Sequence, residues 1–314
     1  MTSQMTSQTM TRFSRYAWAV VAWNLFVIVW GAAVRATGSG AGCGSHWPLC
    51  NGEVVPRAPE IATIIEFTHR ATSGLALLAV IGLLVFAWRV FPKGHLARKA
   101  SVISLILILI EALLGAGLVL LEYVEQNKSL GRAVYLSAHL TNTLLLVGAL
   151  VSAAWLGRMT SPRLGPARRK WVAALLVALA ASISGAVAAL GDTVFPATSM
   201  AEGMKAEFAD GAHALLKLRL IHPVVAVLAG AYLAWLGLHR SRSGQSAATR
   251  RAGTALALLA GIQLAAGVVN IWLLAPVWLQ LVHLFLANLI WIVLIMITLE
   301  ARSPNSSTPG LFTD

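Results

Sequence analysis

Eight stretches of mostly apolar residues alternate with short polar segments along the chain. They run approximately over residues 16–34, 63–88, 101–121, 133–157, 171–190, 213–238, 252–274 and 277–299. A bilayer core about 30 Å thick needs roughly 20 apolar residues per spanning helix, and each stretch meets or approaches that. The period-two alternation of β-barrel strands is absent, so helices are the remaining way to satisfy the backbone inside lipid. The pattern predicts an all-α integral membrane protein with eight transmembrane helices. The opening "MTSQMTSQTM" is low in complexity and is expected to be disordered. No cleavable signal with a small-residue site follows it, so the first apolar run reads as a retained helix.

The apolar pattern also repeats. "IVWGAAVRATG" (28–38) is similar to "SISGAVAALGD" (182–192), and "EALLGAGLV" (111–119) to "QLAAGVV" (263–269). These matches set Gly31 over Gly185, Glu111 over Gln263 and Gly115 over Gly267, while His69 falls over His222 and His139 over His283. Nearly constant offsets of 154, 152, 153 and 144 residues point to a duplicated four-helix unit. Because four is even, both units enter the membrane from the same side. The expected architecture is two tandem four-helix bundles related by a pseudo-two-fold duplication, residues 1–160 and 161–314. The basic stretch "RMTSPRLGPARRK" (158–170) joins them.

Composition strengthens the membrane reading: 58% of the 314 residues are hydrophobic, 11% are charged, and the mean hydropathy is +0.75. A formal charge of +12 raises the question of nucleic acid, but the distribution of charge answers it. Sixteen of the 24 basic residues lie on one side, in the N-terminal segment, the second, fourth and sixth connections, and the tail. The positive-inside rule makes that side and both termini cytoplasmic, in a multi-pass protein of the cell inner or plasma membrane. The bilayer is the partner this charge implies, and no nucleic-acid role is expected.

Cys43 and Cys50, the only cysteines, lie in the loop "GCGSHWPLCNGE" (42–53) on the outward side. Thiols oxidise and disulfides persist there, so a Cys43–Cys50 disulfide is expected, with free thiols and a reversible redox pair as the alternatives. Six intervening residues fit neither C-x-x-C nor C-x-x-C-H.

Of eight histidines, His69, His139, His222 and His283 fall inside predicted spans 2, 4, 6 and 8, all in the outer part of the bilayer. Ionisable groups inside a membrane are costly and usually functional, and four at repeat-equivalent positions point to metal or haem ligation. Zinc or copper calls for a tighter cluster of donors. Two facing imidazoles in each four-helix bundle suit a haem iron, giving two sites, His69 with His139 and His222 with His283. Gly31, Gly115, Gly185 and Gly267 leave room for a flat macrocycle or for close helix packing. Arg35, Arg70, Lys217 and Arg219 lie near enough in sequence to neutralise haem propionates, or else snorkel to lipid headgroups. Glu66, one turn before His69, is placed to take protons during oxidation of a substrate. Its alternative is a salt bridge with Arg70 or a hydrogen bond to an imidazole. Its counterpart in the second half is Arg219.

The segments "GAAVRATGSGAGCGSHWPLCNGEVVP" (31–56) and "IEFTHRATSG" (65–74), with the four histidines and the duplicated halves, resemble haem A synthase, a family that converts haem O to haem A for cytochrome oxidases. The resemblance implies that His222 and His283 hold a haem B cofactor and that His69 and His139 face the haem O substrate. It also implies that Glu66 and the Cys43–Cys50 pair are tied to activity. The reaction implied is oxidation of one porphyrin methyl to a formyl group by successive hydroxylations. Haem O synthase would supply the substrate, an unidentified partner would exchange electrons, and self-association as a homo-oligomer is compatible. The alternatives are a di-haem b-type electron-transfer protein and a haem transporter. Glu111, mid-helix opposite Gln263 in the repeat, has no role that the sequence supplies.

Overall fold

The computed structural model describes residues 2–244 and 246–303. Among these residues lie ten helices and no strand: α1 (Thr2–Ala36), α2 (Ile61–Val90), α3 (Leu96–Leu120), α4 (Leu130–Leu156), α5 (Arg169–Val194), α6 (Met200–Phe208), α7 (Ala214–Arg219), α8 (Ile221–Ser243), α9 (Ala247–Trp272) and α10 (Val277–Arg302). Eight helical spans, with α7 and α8 together forming one, are long and apolar enough to cross a bilayer. The chain is an all-helical, multi-pass membrane protein.

Three features depart from the sequence pattern. First, α1 begins at Thr2, so the polar N-terminal segment is helical. It contains neither Gly nor Pro, and at its end Met10 and Phe13 are buried. Phe13 packs edge-on against Phe91 and Phe86, with centroids 4.9 and 5.5 Å apart. Second, the sixth span is interrupted at Leu220. Pro223 has no N–H to offer the carbonyl of Arg219, and its ring crowds that carbonyl. Helix α7 therefore ends at Arg219, one turn back. Third, α6 is a short helix in the loop after α5, its first turn capped by the Ser199 hydroxyl, which accepts from the Glu202 N–H.

Packing contacts group the spans. Helix α1 packs on α2 and α4, α2 on α3, and α3 on α4, which closes a ring of four. Helix α5 packs on α8, α8 on α9, α9 on α10, and α10 on α5, closing another. The rings meet where α4 touches α5 and α10 and where α10 touches α1. The seam is apolar, with Leu144, Val147, Leu150 and Val151 of α4 and Ile290, Leu294 and Ile297 of α10 all buried. Trp291 fixes its register by donating to the Leu144 carbonyl at 2.7 Å. Outward-facing Leu113, Val134, Val224 and Leu228 are largely exposed, as a surface solvated by lipid tails should be. The 158–170 connection is tied to the end of α10 by two bonds, Gly165 N–H to the Arg302 carbonyl at 2.7 Å and Arg302 Nε to the Gly165 carbonyl at 2.8 Å.

Candidate functional site

All four intramembrane histidines lie within ten residues of the same end of their spans. At 1.5 Å per residue that places them within about 15 Å of the end carrying the 37–60 loop, and in each ring they come from two different helices.

At that end Cys43 and Cys50 are joined in a disulfide. The loop is pinned to α2 through buried polar contacts. The Cys43 N–H donates to Glu66 Oε2 at 2.8 Å, and the Thr63 hydroxyl donates to the Gly42 carbonyl at 2.7 Å. Gly42 has no alternative here, because a Cβ would lie 2.4 Å from the Ala62 backbone. Arg70 completes the clamp, with Nη2 and Nε 2.5 and 3.1 Å from Glu66 Oε1 and with Nη1 donating to the carbonyls of His46 and Leu49 at 2.6 and 2.7 Å. Glu66 is 3% exposed, and a carboxylate that buried needs such partners. One of its oxygens thus accepts from the loop and the other from Arg70, which in turn donates to two loop carbonyls.

Three imidazoles lie directly against glycines. A Cβ on Gly31 would come 2.8 Å from His69 Cε1, one on Gly185 3.0 Å from His222 Cε1, and one on Gly267 3.3 Å from His283 Cε1. The space these glycines leave is used by the rings. Gly115, by contrast, faces no atom within 4 Å. His222 Nδ1 is hydrogen-bonded with Ser184 Oγ at 3.0 Å. The Gln263 amide donates to His283 Nε2 at 3.2 Å, and the rings of His222 and His283 stand nearly perpendicular with centroids 6.5 Å apart. His139 Nδ1 lies 3.3 Å from Glu111 Oε1, close enough for charge attraction though off line for a hydrogen bond. The Nδ1 atoms of His69 and His283 are buried without a partner among the described residues.

These side chains fit a haem iron. Three imidazole nitrogens, Nδ1 of His69, His139 and His283, stand without a hydrogen bond among the described residues, in a membrane interior where unpaired polar atoms are costly. The 6.5 Å spacing in the second ring accepts one metal bonded to both rings, since a metal–imidazole bond is about 2 Å; binding through His283 Nε2 would replace its bond to Gln263. Among the described residues no cluster of three or more His, Cys, Asp or Glu side chains could hold a bare ion.

The basic residues divide. Arg35 reaches from α1 into the second ring, donating to the Ala189 carbonyl at 2.8 Å, Thr193 Oγ1 at 2.6 Å and Gln280 Oε1 at 3.0 Å. Arg219 pairs with Glu207 at 2.6 Å and Asp192 at 3.0 Å. Lys217 is exposed. Arg35, Arg70 and Arg219 are each already engaged by protein acceptors, whereas Lys217 is exposed. Ser184, Thr193 and Gln280 had no marker in the sequence as polar partners of the site; Glu111 and Gln263 had one, their alignment in the repeat.

A sequence model of the cytochrome oxidase assembly proteins, COX15-CtaA, matches residues 14–295. The chain belongs to this family. It is 46% identical over 295 residues to "Protoheme IX farnesyltransferase" of Thermus thermophilus, a match covering 93% of this chain and 48% of that protein. It is 48% identical over 95 residues to "Heme A synthase" of Alkalihalophilus pseudofirmus, covering 30% and 32% of the two chains. With "Heme A synthase" of Bacillus mycoides the figures are 39% over 111 residues, 35% and 36%. The chain spans about half the length of the Thermus relative.

Proposed function

We propose that the protein is a membrane haem A synthase, oxidising one methyl group of haem O to the formyl group of haem A by successive hydroxylations. The observation that carries the reading is the pairing of four intramembrane histidines, two per ring of helices, in a chain of the COX15-CtaA family with relatives named heme A synthase. In this reading residues 1–160 form the reactive half and residues 161–314 the cofactor half, descended from one duplicated unit.

His69 and His139 hold the substrate haem, and His222 and His283 hold haem B. Haem B, when bound, supplies one-electron redox chemistry at its iron. Ser184 orients His222 through Nδ1, leaving the other ring nitrogen for the metal. The disulfide loop, fastened by Glu66 and Arg70, covers the reactive half and limits water at the porphyrin edge. For Glu66 to take a proton, Arg70 must first release Oε1 or the loop must release Oε2; its first task is to hold the loop. Arg35, bonded to α5 and α10, fixes the outer end of α1 against the cofactor half. The bilayer accommodates the farnesyl tail of the substrate.

The Thermus relative supports a haem O synthase as partner, because its name assigns farnesylation of protohaem IX to a protein of which only about half resembles this chain. The charge distribution supports cytoplasmic termini in a bacterial-type cell membrane.

The test is to express the chain with and without a haem O synthase in a host lacking haem A, and to identify the extracted haems by mass. Haem A or its hydroxymethyl precursor, appearing only when both proteins are present, is the expected result. Haem O recovered unchanged under aerobic conditions, with haem B bound in both halves, would leave a di-haem electron carrier as the better reading.

A further inference from the structure

Glu111 lies in the middle of α3, where a carboxylate is expensive, yet it is held by a dedicated set of donors. Asn142 Nδ2 donates to Oε2 at 2.5 Å and also to the Leu107 carbonyl at 2.9 Å, so its amide is fully used. The Thr143 hydroxyl donates to Oε1. With both oxygens oriented in this way, Oε1 stands 3.3 Å from His139 Nδ1. A carboxylate only accepts, so a proton is favoured on Nδ1, and the lone pair for a metal is then on Nε2.

The same position in the second half is occupied by Gln263, which also contacts its histidine, but through a neutral amide and at Nε2. One half thus sets an anion behind Nδ1 of its histidine on α4, whereas the other sets a neutral amide at Nε2 of its histidine on α10, the nitrogen that a metal would take from it. A carboxylate behind a ligating imidazole fixes its tautomer and raises its basicity.

We propose that Glu111 is a positioning residue that sets the tautomer and donor strength of His139, making the iron site of the first half electron-richer than that of the second. The proposal rests on the haem reading of His69 and His139 above. An electron-richer site favours the ferric form of the haem held there and so lowers its reduction potential. The Glu–Gln difference is then the element that separates a haem to be oxidised from a haem that only passes electrons.

The test uses the full chain in detergent, loaded with hemin, and follows both haems by spectroelectrochemical titration and low-temperature EPR. Glu111→Gln, which gives the first half the group already present in the second, should raise the midpoint of one haem and leave the other unmoved, with about tenfold weaker hemin binding in that half. Glu111→Asp should largely restore the midpoint, because it keeps the charge. A folded Glu111→Gln protein with both midpoints, both EPR signals and hemin affinity unchanged would overturn the proposal. So would Glu111→Gln and Glu111→Asp proteins that lose thermal stability alike with unshifted midpoints, the mark of a purely structural carboxylate. If Glu111→Gln does not fold, Glu111→Asp decides through its geometry: the shorter carboxylate stands farther from His139 Nδ1 and should raise that midpoint by a fraction of the full effect, and an unshifted potential with unshifted EPR signals in that folded protein overturns the proposal. His139→Ala separates the layers: retention of both haems and their spectra in that variant would remove the haem assignment of His139 itself, whatever Glu111 does.

Discussion

Three residues before the first intramembrane histidine of each ring stands a charge largely withdrawn from the surface, and the two charges have opposite sign. Glu66 precedes His69 and Arg219 precedes His222, yet each fastens an outer loop to the membrane span that carries the histidine. Glu66 does so with Arg70 and the Cys43 N–H; Arg219 does so with Glu207 of α6 and Asp192 at the end of α5. One half closes its loop with a disulfide and the other with a nine-residue helix. What stays the same is the imidazole against a glycine, His69 on Gly31 and His222 on Gly185. The contact of imidazole with glycine is common to the two rings, while the polar fastening around it differs.

The sharpest way to break this comparison is to remove ligands from one half at a time. On the haem reading proposed above, His222→Ala or His283→Ala should release a haem B from the second ring and leave the first half able to bind added haem. His69→Ala or His139→Ala should abolish haem O conversion while haem B remains. Haem stoichiometry and mass of the extracted pigments check both, and loss of both haems from either pair of variants would merge the two sites into one.

Next in size are the fastenings. Removing one member of a buried ion pair strands its partner, at a cost of about 3 kcal/mol. Arg70→Ala strands Glu66 and frees the carbonyls of His46 and Leu49, so thermal unfolding should come earlier and the disulfide should be reduced faster by added thiol. Arg219→Ala should destabilise to a similar degree without changing disulfide reactivity. Equal acceleration of reduction by both variants would mean that the loops are not fastened independently.

Glycine substitutions probe the shared inner geometry more gently. Gly31→Ala and Gly185→Ala push a methyl into an imidazole, and overpacking of this kind costs about 1–3 kcal/mol. Gly115→Ala meets open space and should stabilise α3 by about 1 kcal/mol, since alanine is the better helix former. Thermal midpoints of the three variants in one detergent measure the contrast.

Much of this was legible in the chain because membrane helices are written in long apolar runs, and the repeat offsets aligned the histidines before any contact was known. Helix α6 was not legible, being nine residues of mixed polarity in a loop. The break at Leu220 was half legible: Pro223 marks a disruption, but only packing decides whether a helix bends or stops. The partners of Glu66 and Arg70 follow from i, i+4 spacing, whereas the loop carbonyls that Arg70 collects depend on how the loop folds back. Arg35 is the clearest case of information absent from local sequence, for its three acceptors lie more than 150 residues away and in the other ring.

The smallest effect lies at the opposite end of the bundle, where the halves differ in a helix cap. Ser246 caps α9, its hydroxyl accepting from the Thr249 N–H, and a hydroxyl does not titrate. His95 caps α3, with Nδ1 accepting from the Ala97 N–H at 3.1 Å and Nε2 facing the Met159 carbonyl at 3.0 Å. That arrangement requires the neutral ring with its proton on Nε2; a second proton on Nδ1 would face the Ala97 N–H. Burial, 7% of the residue being exposed, holds the His95 pKa below its ordinary value against the pull of the carbonyl. A group whose pKa is lower folded than unfolded contributes stability above the unfolded value of about 6.5 and loses it as pH falls through the folded one. Acidification below pH 6.5 should therefore loosen the first half at this cap and leave the Ser246 cap untouched. His95→Ser should cost about 1 kcal/mol or less at neutral pH and flatten that part of the acid dependence of the thermal midpoint. An acid limb of unchanged slope in the His95→Ser protein would place the titrating group elsewhere.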